Sequence, residues 1–501
     1  MEFSLRSDLK RITIVALITL VSFISIVGCA SQYINLAPPS SSQPLMLSQV
    51  SEPYNGQDII KLSDDSEISL NIDNQHAYSL PELINLAQQK NPDTRIAWEQ
   101  ARQAALAVGM VEATFLPVLS ASVVTGYQKL QSPLPLSVGQ YSDIDSTNSA
   151  VVPALGLQWL LFDFGQRSAL SEGASHTVFA ANIIFNGVHQ KIINDVTYNY
   201  HMYGAAQSRS KINAEMLENS MKIFDAAQTR QKQGVATIID VAQAQQLVAQ
   251  SKLNLVLAQG MEDDSRQALL RAIGISPLSQ IKVAYDEVEP LPKAVSRPTE
   301  AMIKQALSQR SDVQAGYAMT QAAKSAVKVT EADFLPKVYL AGVLARGHGR
   351  FETEGLPTAT PQTSSYNIVL GVRVPLYDGG IRQARVQEAE SRVNVSNENL
   401  KKIQGDAYRE IVIASNTLRS TLESNQAALR LVKTATITFE ASLDAYRHGV
   451  GTITIANEAA NSLLTAKQMY IDARAAAFIA ATNLAFVMGR INQHELQGNN
   501  N

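Results

Sequence analysis

The chain repeats one set of short motifs in its two halves. Residues 112–117 read Glu-Ala-Thr-Phe-Leu-Pro, and residues 331–336 read Glu-Ala-Asp-Phe-Leu-Pro. Two more motif pairs follow in the same order: Phe-Asp-Phe-Gly-Gln-Arg at 162–167 with Tyr-Asp-Gly-Gly-Ile-Arg at 377–382, and Gly-Val-Ala-Thr at 234–237 with Gly-Val-Gly-Thr at 449–452. A duplicated unit of about 200 residues is far longer than the repeat of a solenoid. Each half therefore folds into a copy of one structural unit.

Proline is missing from two long Ala-rich tracts, 154–276 and 376–501. Tracts of this kind predict very long helices, since proline breaks helices and alanine favours them. The predicted long helices and the return helices that follow them are 166–232 with 238–273, and 381–448 with 455–488. Apolar and small residues recur every three or four positions on the return helices, which predicts antiparallel coiled-coil packing.

Between the helices lie two segments that alternate apolar residues with polar or small ones, at about 118–162 and about 337–377. Strict alternation over about 10 residues indicates a strand with one apolar side, and this length suits a tilted membrane strand. An amphipathic hairpin on a soluble core would show the same alternation. Two strands per half cannot bury themselves, however. The hairpins therefore favour a barrel shared between copies of the chain.

A short motif marks each passage from strand to helix. The residues that form these predicted turns are Asp163, Gly165, Asp378, Gly379 and Gly380. Asp is a good N-cap, and Gly permits a tight exit from the strand. A structural role is favoured over a catalytic role for the Asp/Arg pair in each motif.

A second pair of motifs marks the tips of the two helical hairpins. The predicted tip residues are Gly234, Val235, Thr237, Gly449, Val450 and Thr452. Thr237 and Asp240 fit a capping box, in which each side chain accepts a bond from the other residue's backbone N–H. The second tip has Ile455 at the position of Asp240, so the two tips are expected to differ.

The N-terminus reads as an export signal followed by a tether. Lys10 and Arg11 precede an apolar stretch that ends just before Cys29, the single cysteine of the chain. Residues 1–28 are thus predicted to be a lipoprotein signal peptide, with Cys29 the lipidated (palmitate-bearing) N-terminus of the mature protein. The alternative is an ordinary signal peptide with an incidental thiol. A Ser/Pro/Gln-rich tether is predicted over 29–78 and a polar tail over 491–501.

Composition excludes several classes of protein. The net charge of −3 and pI near 6.2 provide no basic footprint for nucleic acid. Seven scattered histidines and one cysteine provide no metal-ligand spacing. No residue pattern indicates catalysis, so we expect neither enzymatic activity nor a cofactor.

Taken together, the ordered motifs resemble the TolC family of outer-membrane efflux and secretion channels, in its lipoprotein (OprM/NodT-like) branch. The resemblance rests on Phe-Leu-Pro at 115–117 and 334–336, on the Val-Pro-Leu-Tyr-Asp-Gly-Gly stretch at 374–380, and on the two Gly-Val-x-Thr tips. It covers about 78–490, with a first repeat over 79–290 and a second over 291–490.

The resemblance implies a mainly α-helical fold with a transmembrane β part. Each chain of a homotrimer would give four strands to a shared twelve-stranded barrel in the outer membrane of a Gram-negative bacterium, and long helices to a periplasmic tunnel. The tips would meet a periplasmic adaptor, coupled to an inner-membrane pump of the RND or ABC type. The implied function is passive conduction in efflux or type I secretion. The alternative is a lipid-anchored periplasmic coiled-coil scaffold without a pore.

Overall fold

The computed structural model describes residues 75–138, 141–286, 289–292, 297–353 and 356–491, together with Ser40 and Ser42. The predicted signal peptide, Cys29, most of the predicted tether and nearly all of the polar tail lie outside the described residues. The α-helices of the described chain are α1 (Leu80–Lys90), α2 (Pro92–Ala113), α3 (Gln166–Lys232), α4 (Ile238–Ile273), α5 (Glu300–Gln309), α6 (Ser311–Glu331), α7 (Ile381–Arg447) and α8 (Ile453–Val487).

The first helix of each half is capped by a hydroxyl residue. Ser79 forms a capping box with Glu82 ahead of α1, and its backbone N–H donates to the Glu82 carboxylate at 2.7 Å. This bond lowers the pKa of Glu82. Thr299 caps α5 by accepting a bond from the Met302 N–H at 3.3 Å. Both halves thus start their helices by the same local chemistry.

The four long strands form one antiparallel sheet in the order β2–β3–β5–β6. The strands are β2 (Val118–Val138), β3 (Tyr141–Phe162), β5 (Lys337–Thr353) and β6 (Gln362–Arg373), while β1 (Ala77–Tyr78) and β4 (Lys282–Val283) pair separately in parallel. The two hairpins join through β3 and β5, with Trp159 opposite Leu340. This pairing makes a single sheet from the two halves, with β2 and β6 at its edges.

Alternation gives the sheet two different faces. The register places large apolar residues on one side, which we call the apolar face: Leu119, Val123, Tyr127, Val151, Leu155, Leu157, Leu340, Leu344, Tyr366, Ile368, Leu370 and Val372. The opposite side, the polar face, carries mostly small or polar residues: Ser120, Ser122, Ala154, Gly156, Ala345, Ser365, Asn367 and Gly371. Tyr366 and Ile368 are 86% and 79% exposed, so no described part of the chain covers the apolar face there.

The second hairpin differs from its predicted extent in one respect. Its last strand ends at Arg373, whereas the alternating pattern predicted strand character as far as Tyr377. Pro375 explains the difference, because proline has no N–H to contribute to a strand ladder.

Contacts divide the described chain into two compact units. The sheet unit contains Arg102–Val178 and Ala318–Asn397, and the helical unit contains Phe179–Tyr317 and Glu398 onward together with α1 and the start of α2. Within the helical unit, α3, α4, α7 and α8 bury a core rich in Ala, Leu and Ile. Helix α8 is long and apolar enough to cross a membrane by length and composition. Its Ala456, Ala460 and Ala477 are nevertheless fully buried, as in the core helix of a bundle.

The observed architecture confirms the predicted combination of long antiparallel helices with a β part. Each half contributes a short helix, a longer helix, two long strands, a 67-residue helix and a return helix, in that order.

Candidate functional sites at the helix tips and the strand–helix turns

The first helical hairpin turns at Gly234, directly after α3. Gly234 has a φ of 73°, a left-handed conformation that strains any residue with a Cβ. The Val235 N–H donates to the Arg230 carbonyl at 2.9 Å, which closes the end of α3 in a Schellman arrangement. Thr237 then caps α4, and its N–H donates to the Asp240 carboxylate at 2.7 Å. The capping box predicted here is present.

The second hairpin turns at Gly449 by the same geometry but without the acidic cap. Gly449 has a φ of 84°, and the Val450 N–H donates to the Ala445 carbonyl at 3.0 Å. Thr452 accepts a bond from the Ile455 N–H at 3.4 Å, with no carboxylate to return it. A Cβ on Gly451 would lie only 3.0 Å from the Tyr446 backbone nitrogen. A larger residue at position 451 would therefore crowd the end of α7.

Arg230 connects the two tips. Its guanidinium lies 4.8 Å from the centroid of the Tyr446 ring and donates to the Tyr446 carbonyl. A second nitrogen lies 3.4 Å from the Val235 carbonyl. Burial raises the pKa of Tyr446; the negative charge of Asp240 adds to this shift and Arg230 opposes it. The tips of the two halves therefore pack together, and the charged side chain of Arg230 links them.

The outer surface of this double tip is apolar and uncovered. Val450 is 84% exposed and Ile238 is 74% exposed, and Val235, Ile239 and Ile455 are exposed as well. Below them, Ile453, Ala227 and Ala244 are buried in the helical core. Exposed branched residues on a rigid turn are typical of a surface that packs against another protein.

The first strand–helix turn contains a buried ion pair. Asp163 accepts backbone bonds from Gly165 at 3.3 Å and Arg167 at 3.1 Å, and it pairs with the Arg167 side chain at 2.7 Å. Both side chains are less than a tenth exposed. Arg167 also donates to the Thr114 carbonyl at 2.8 Å and covers the Phe115 ring at 4.5 Å. The turn is thereby attached to the end of α2.

The second turn repeats this arrangement in a more open setting. Asp378 accepts bonds from the backbone of Gly380 and Arg382, both at 3.1 Å, and pairs with the Arg382 side chain at 2.7 Å. The bond from Arg382 is the main reason that the pKa of Asp378 is lowered. Arg382 lies over the Phe334 ring at 5.0 Å. Gly379 has a φ of 70°, in the left-handed region that favours glycine.

The structure brings together motifs that are separate in the sequence. The Phe-Leu-Pro motif and the Asp-x-Gly-x-Arg motif are independent landmarks along the chain, whereas Arg167 contacts Phe115 and Arg382 contacts Phe334. Arg230 and Tyr446 are not among the predicted tip residues. The position of Arg230 could have been found from the sequence. It lies four residues before the tip glycine, and a helix that ends at such a glycine uses the carbonyl at that position to close its last turn. Nothing local pointed to its partner on the other hairpin.

Among the described residues, no group of three or more His, Cys, Asp or Glu side chains is placed to hold a metal ion. The paired Asp and Arg side chains of the two turns are fully engaged in bonds to backbone and to each other.

Comparison with known proteins agrees with this architecture. The profile of the family described as "Outer membrane efflux protein" matches residues 83–275 and 302–490. Protein CyaE of Bordetella pertussis is 25% identical over 420 residues, covering 84% of this chain and 86% of that protein. The pyoverdine export outer membrane protein OpmQ of Pseudomonas aeruginosa is 24% identical over 433 residues, covering 84% of this chain and 88% of its own. The structure of the outer-membrane channel OprN superimposes with a TM-score of 0.70 at 18% identity, over 92% of this chain and 100% of that one.

Proposed function

Because this chain belongs to the outer membrane efflux protein family, we propose that it assembles into a homotrimer that conducts substrates out of the cell in partnership with a periplasmic adaptor and an inner-membrane pump. The chain is an outer-membrane exit duct of the kind found in Gram-negative bacteria. Its family consists of channel and efflux proteins rather than enzymes.

The observation that carries the trimer proposal is the open sheet. Strands β2 and β6 lie at the two edges of the four-stranded sheet, so each has one side without a partner strand in the described chain. In lipid, an unpaired strand edge is too costly to persist, since no water can satisfy its N–H and C=O groups. Pairing β2 of one copy with β6 of the next removes both edges. Three copies would give a closed barrel of twelve strands.

The two faces of the sheet support the same proposal. The exposed apolar face suits contact with lipid, and the polar face suits a water-filled lumen. The apolar run covers 9 residues on β2 (119–127) and on β3 (151–159), and 7 on β5 (338–344) and on β6 (366–372), close to the roughly 9–11 residues of a tilted membrane strand.

The double tip supports the adaptor part of the proposal. The exposed residues Val235, Ile238 and Val450 lie on turns fixed by Gly234 and Gly449. Such a surface is suited to docking a helical hairpin of another protein, because it is apolar and already ordered. We propose that the adaptor packs against it.

A conductance measurement tests the channel. The purified full-length protein, reconstituted into planar bilayers, should give stepwise currents, and chemical cross-linking in the same preparation should yield trimers. Absence of current from cross-linked, vesicle-inserted protein would contradict a pore. A water-soluble monomer would instead favour the periplasmic scaffold.

We also propose that Cys29 is acylated in the mature protein. The proposal rests on the sequence before Cys29, because this residue lies outside the described part of the chain. Cells labelled with radioactive palmitate should yield labelled protein, and Cys29→Ala should remove the label. Label retained by the variant would contradict the proposal.

A further inference from the structure

The apolar face of the sheet changes character part-way along β5. Its alternate positions run from Val338 and Leu340 to Leu344, and then become Arg346, His348 and Arg350. On β2 the same face continues from Tyr127 to Lys129. The register confirms that the Arg and Lys cations share a face, because Tyr127 and Arg350 both lie opposite Ser149.

The cations lie nearer to the apolar residues than the acids do. Arg346 directly follows Leu344 on this face, whereas Glu352 lies three face positions farther out. On the first hairpin, Lys129 lies opposite Thr147, and Asp145 lies one face position beyond. Arg350 pairs with Glu352 at 2.5 Å and Lys129 pairs with Asp145 at 2.9 Å. Arg346 has no carboxylate partner among the described residues.

Along the strands, this border lies toward the β2–β3 and β5–β6 connections. The opposite ends of β3 and β6 lead through the strand–helix turns into α3 and α7. With the helices on the periplasmic side, as the proposed function requires, the cations lie at the outer boundary of the membrane and face outward. The lipid of the outer leaflet there is a glycolipid with phosphates on its sugars. Basic side chains just beyond a membrane surface attract anionic headgroups, and guanidinium groups bind phosphate through paired N–H donors.

We propose that Arg346 and Arg350, supported by Lys129, form a binding site for the phosphates of an outer-leaflet glycolipid. The site rests on the proposed function, because the apolar face must contact lipid for its border to meet the headgroups. The shared face excludes a role in selecting cargo, since these side chains cannot line the lumen while Leu344 faces lipid. Arg346 supplies a guanidinium without a carboxylate partner in the described part of the chain, and Arg350 can exchange Glu352, whose side chain is 44% exposed, for a phosphate.

The experiment measures lipid A binding to the detergent-purified full-length trimer by native mass spectrometry. Bisphosphorylated lipid A is compared with its dephosphorylated form and with inorganic phosphate. The test variant is Arg346→Gln/Arg350→Gln. The matched control is Arg373→Gln, which removes an exposed arginine from the polar face of the same sheet.

We expect the double variant to bind bisphosphorylated lipid A about 10-fold more weakly than wild type, with the control unchanged. Wild type should bind the dephosphorylated lipid weakly, which tests the proposal even if the double variant does not assemble. Equal binding of the two lipids by wild type, or saturation of the site by inorganic phosphate alone, would overturn it. A double variant that keeps wild-type conductance but loses lipid binding supports the site. Absence of conductance in wild type would instead refute the proposed function.

Discussion

Arg230 of the first helical hairpin donates a hydrogen bond to the carbonyl of Tyr446 in the second and lies 4.8 Å from the centre of its ring. The two residues are 216 positions apart. Tyr446 is nearly fully buried, and Ile453 and Ala456 belong to the same core cluster. The contact thus fixes the tip of one repeat to the tip of the other.

Replacing Arg230 should loosen both tips together. A hydrogen bond from a charged group is worth about 1.5–3 kcal/mol, so Arg230→Gln should raise amide exchange rates near Val235 and Val450 about 10-fold. Hydrogen exchange with mass spectrometry measures this. Arg419→Gln removes a half-buried arginine from α7, far along the helix from both tips, and should leave both tips protected. Faster exchange at only one tip would contradict a link between them.

The tip glycines should not tolerate branched residues. Gly449 has a φ of 84°, so Gly449→Val should cost about 1–3 kcal/mol in folded-state strain. Gly260, on α4, has open space around it and no left-handed φ, so Gly260→Ala should stabilise by up to about 1 kcal/mol. Thermal midpoints of the detergent-solubilised protein compare the two variants, and export assays report whether the strained tip still supports adaptor docking. Equal midpoints for both would show that the turn relaxes.

Loss of the aspartate charge should lower the stability of the protein more at the first strand–helix turn, where both partners of the ion pair are buried, than at the second. Asp163→Asn leaves the Arg167 guanidinium buried without a carboxylate, which should cost about 3–5 kcal/mol. Asp378→Asn should cost less, because the Asp378 side chain is nearly a third exposed and its carboxylate is already partly solvated, even though Arg382 is as buried as Arg167. Denaturant unfolding of both variants in the same detergent gives the comparison. A larger loss for Asp378→Asn would contradict the role assigned to burial.

The helical unit should lose stability in acid because of His201. This residue stacks on Phe478 with ring centroids 4.7 Å apart, and burial, with a smaller effect of Arg474, lowers its pKa to about 4. The unfolded chain, with a pKa near 6.5, binds the proton more readily. The stability that the neutral form of His201 contributes is therefore fully present above pH 6.5. The free energy of unfolding falls by about 3 kcal/mol as the pH drops to 4.

His201→Phe keeps the stacking but removes the titration. The difference in unfolding free energy between wild type and this variant, followed from pH 7 to pH 4, isolates His201. The subtraction is needed because burial raises the pKa of Asp195 and of Glu289. Protonation of these two carboxyl groups stabilises the folded state as the pH falls, which is opposite to the effect of His201. A difference that does not vary with pH would contradict the prediction.

A charged residue introduced on the apolar face of the sheet should impair membrane insertion, whereas one introduced on the polar face should not. Leu370→Arg should destabilise the membrane-inserted protein by about 2–4 kcal/mol, because it moves a cation into lipid. Ser365→Arg, on the polar face of the same strand, should insert normally and alter conductance instead. Fractionation and single-channel recording separate these outcomes. Normal insertion of the Leu370 variant would reverse the assignment of the faces.

The packing of the helices shows how far periodicity can predict burial. On α4 the three-to-four spacing predicts a seam of Val241, Ala244, Val248, Ser251, Leu255 and Ala258. All of these are buried except Val241 and Val248, which are half-buried. Leu247, outside the predicted seam, is buried as well. A helix that packs against more than one neighbour buries a stripe wider than a single coiled-coil seam, and the sequence of one helix does not reveal how many neighbours it has.

The order and type of the elements, the two strand–helix turns and the two tips could all be predicted from local patterns in the amino-acid sequence. Proline, glycine, caps and alternation act within a few residues, so their consequences can be read along the chain. The tertiary structure alone decided which distant groups meet: Arg167 with the Thr114 carbonyl, Arg230 with Tyr446, and Trp159 opposite Leu340 where the two repeats join in one sheet. These contacts depend on the register and packing of whole helices and strands, because each side chain has many chemically suitable partners and only the fold brings one of them within reach.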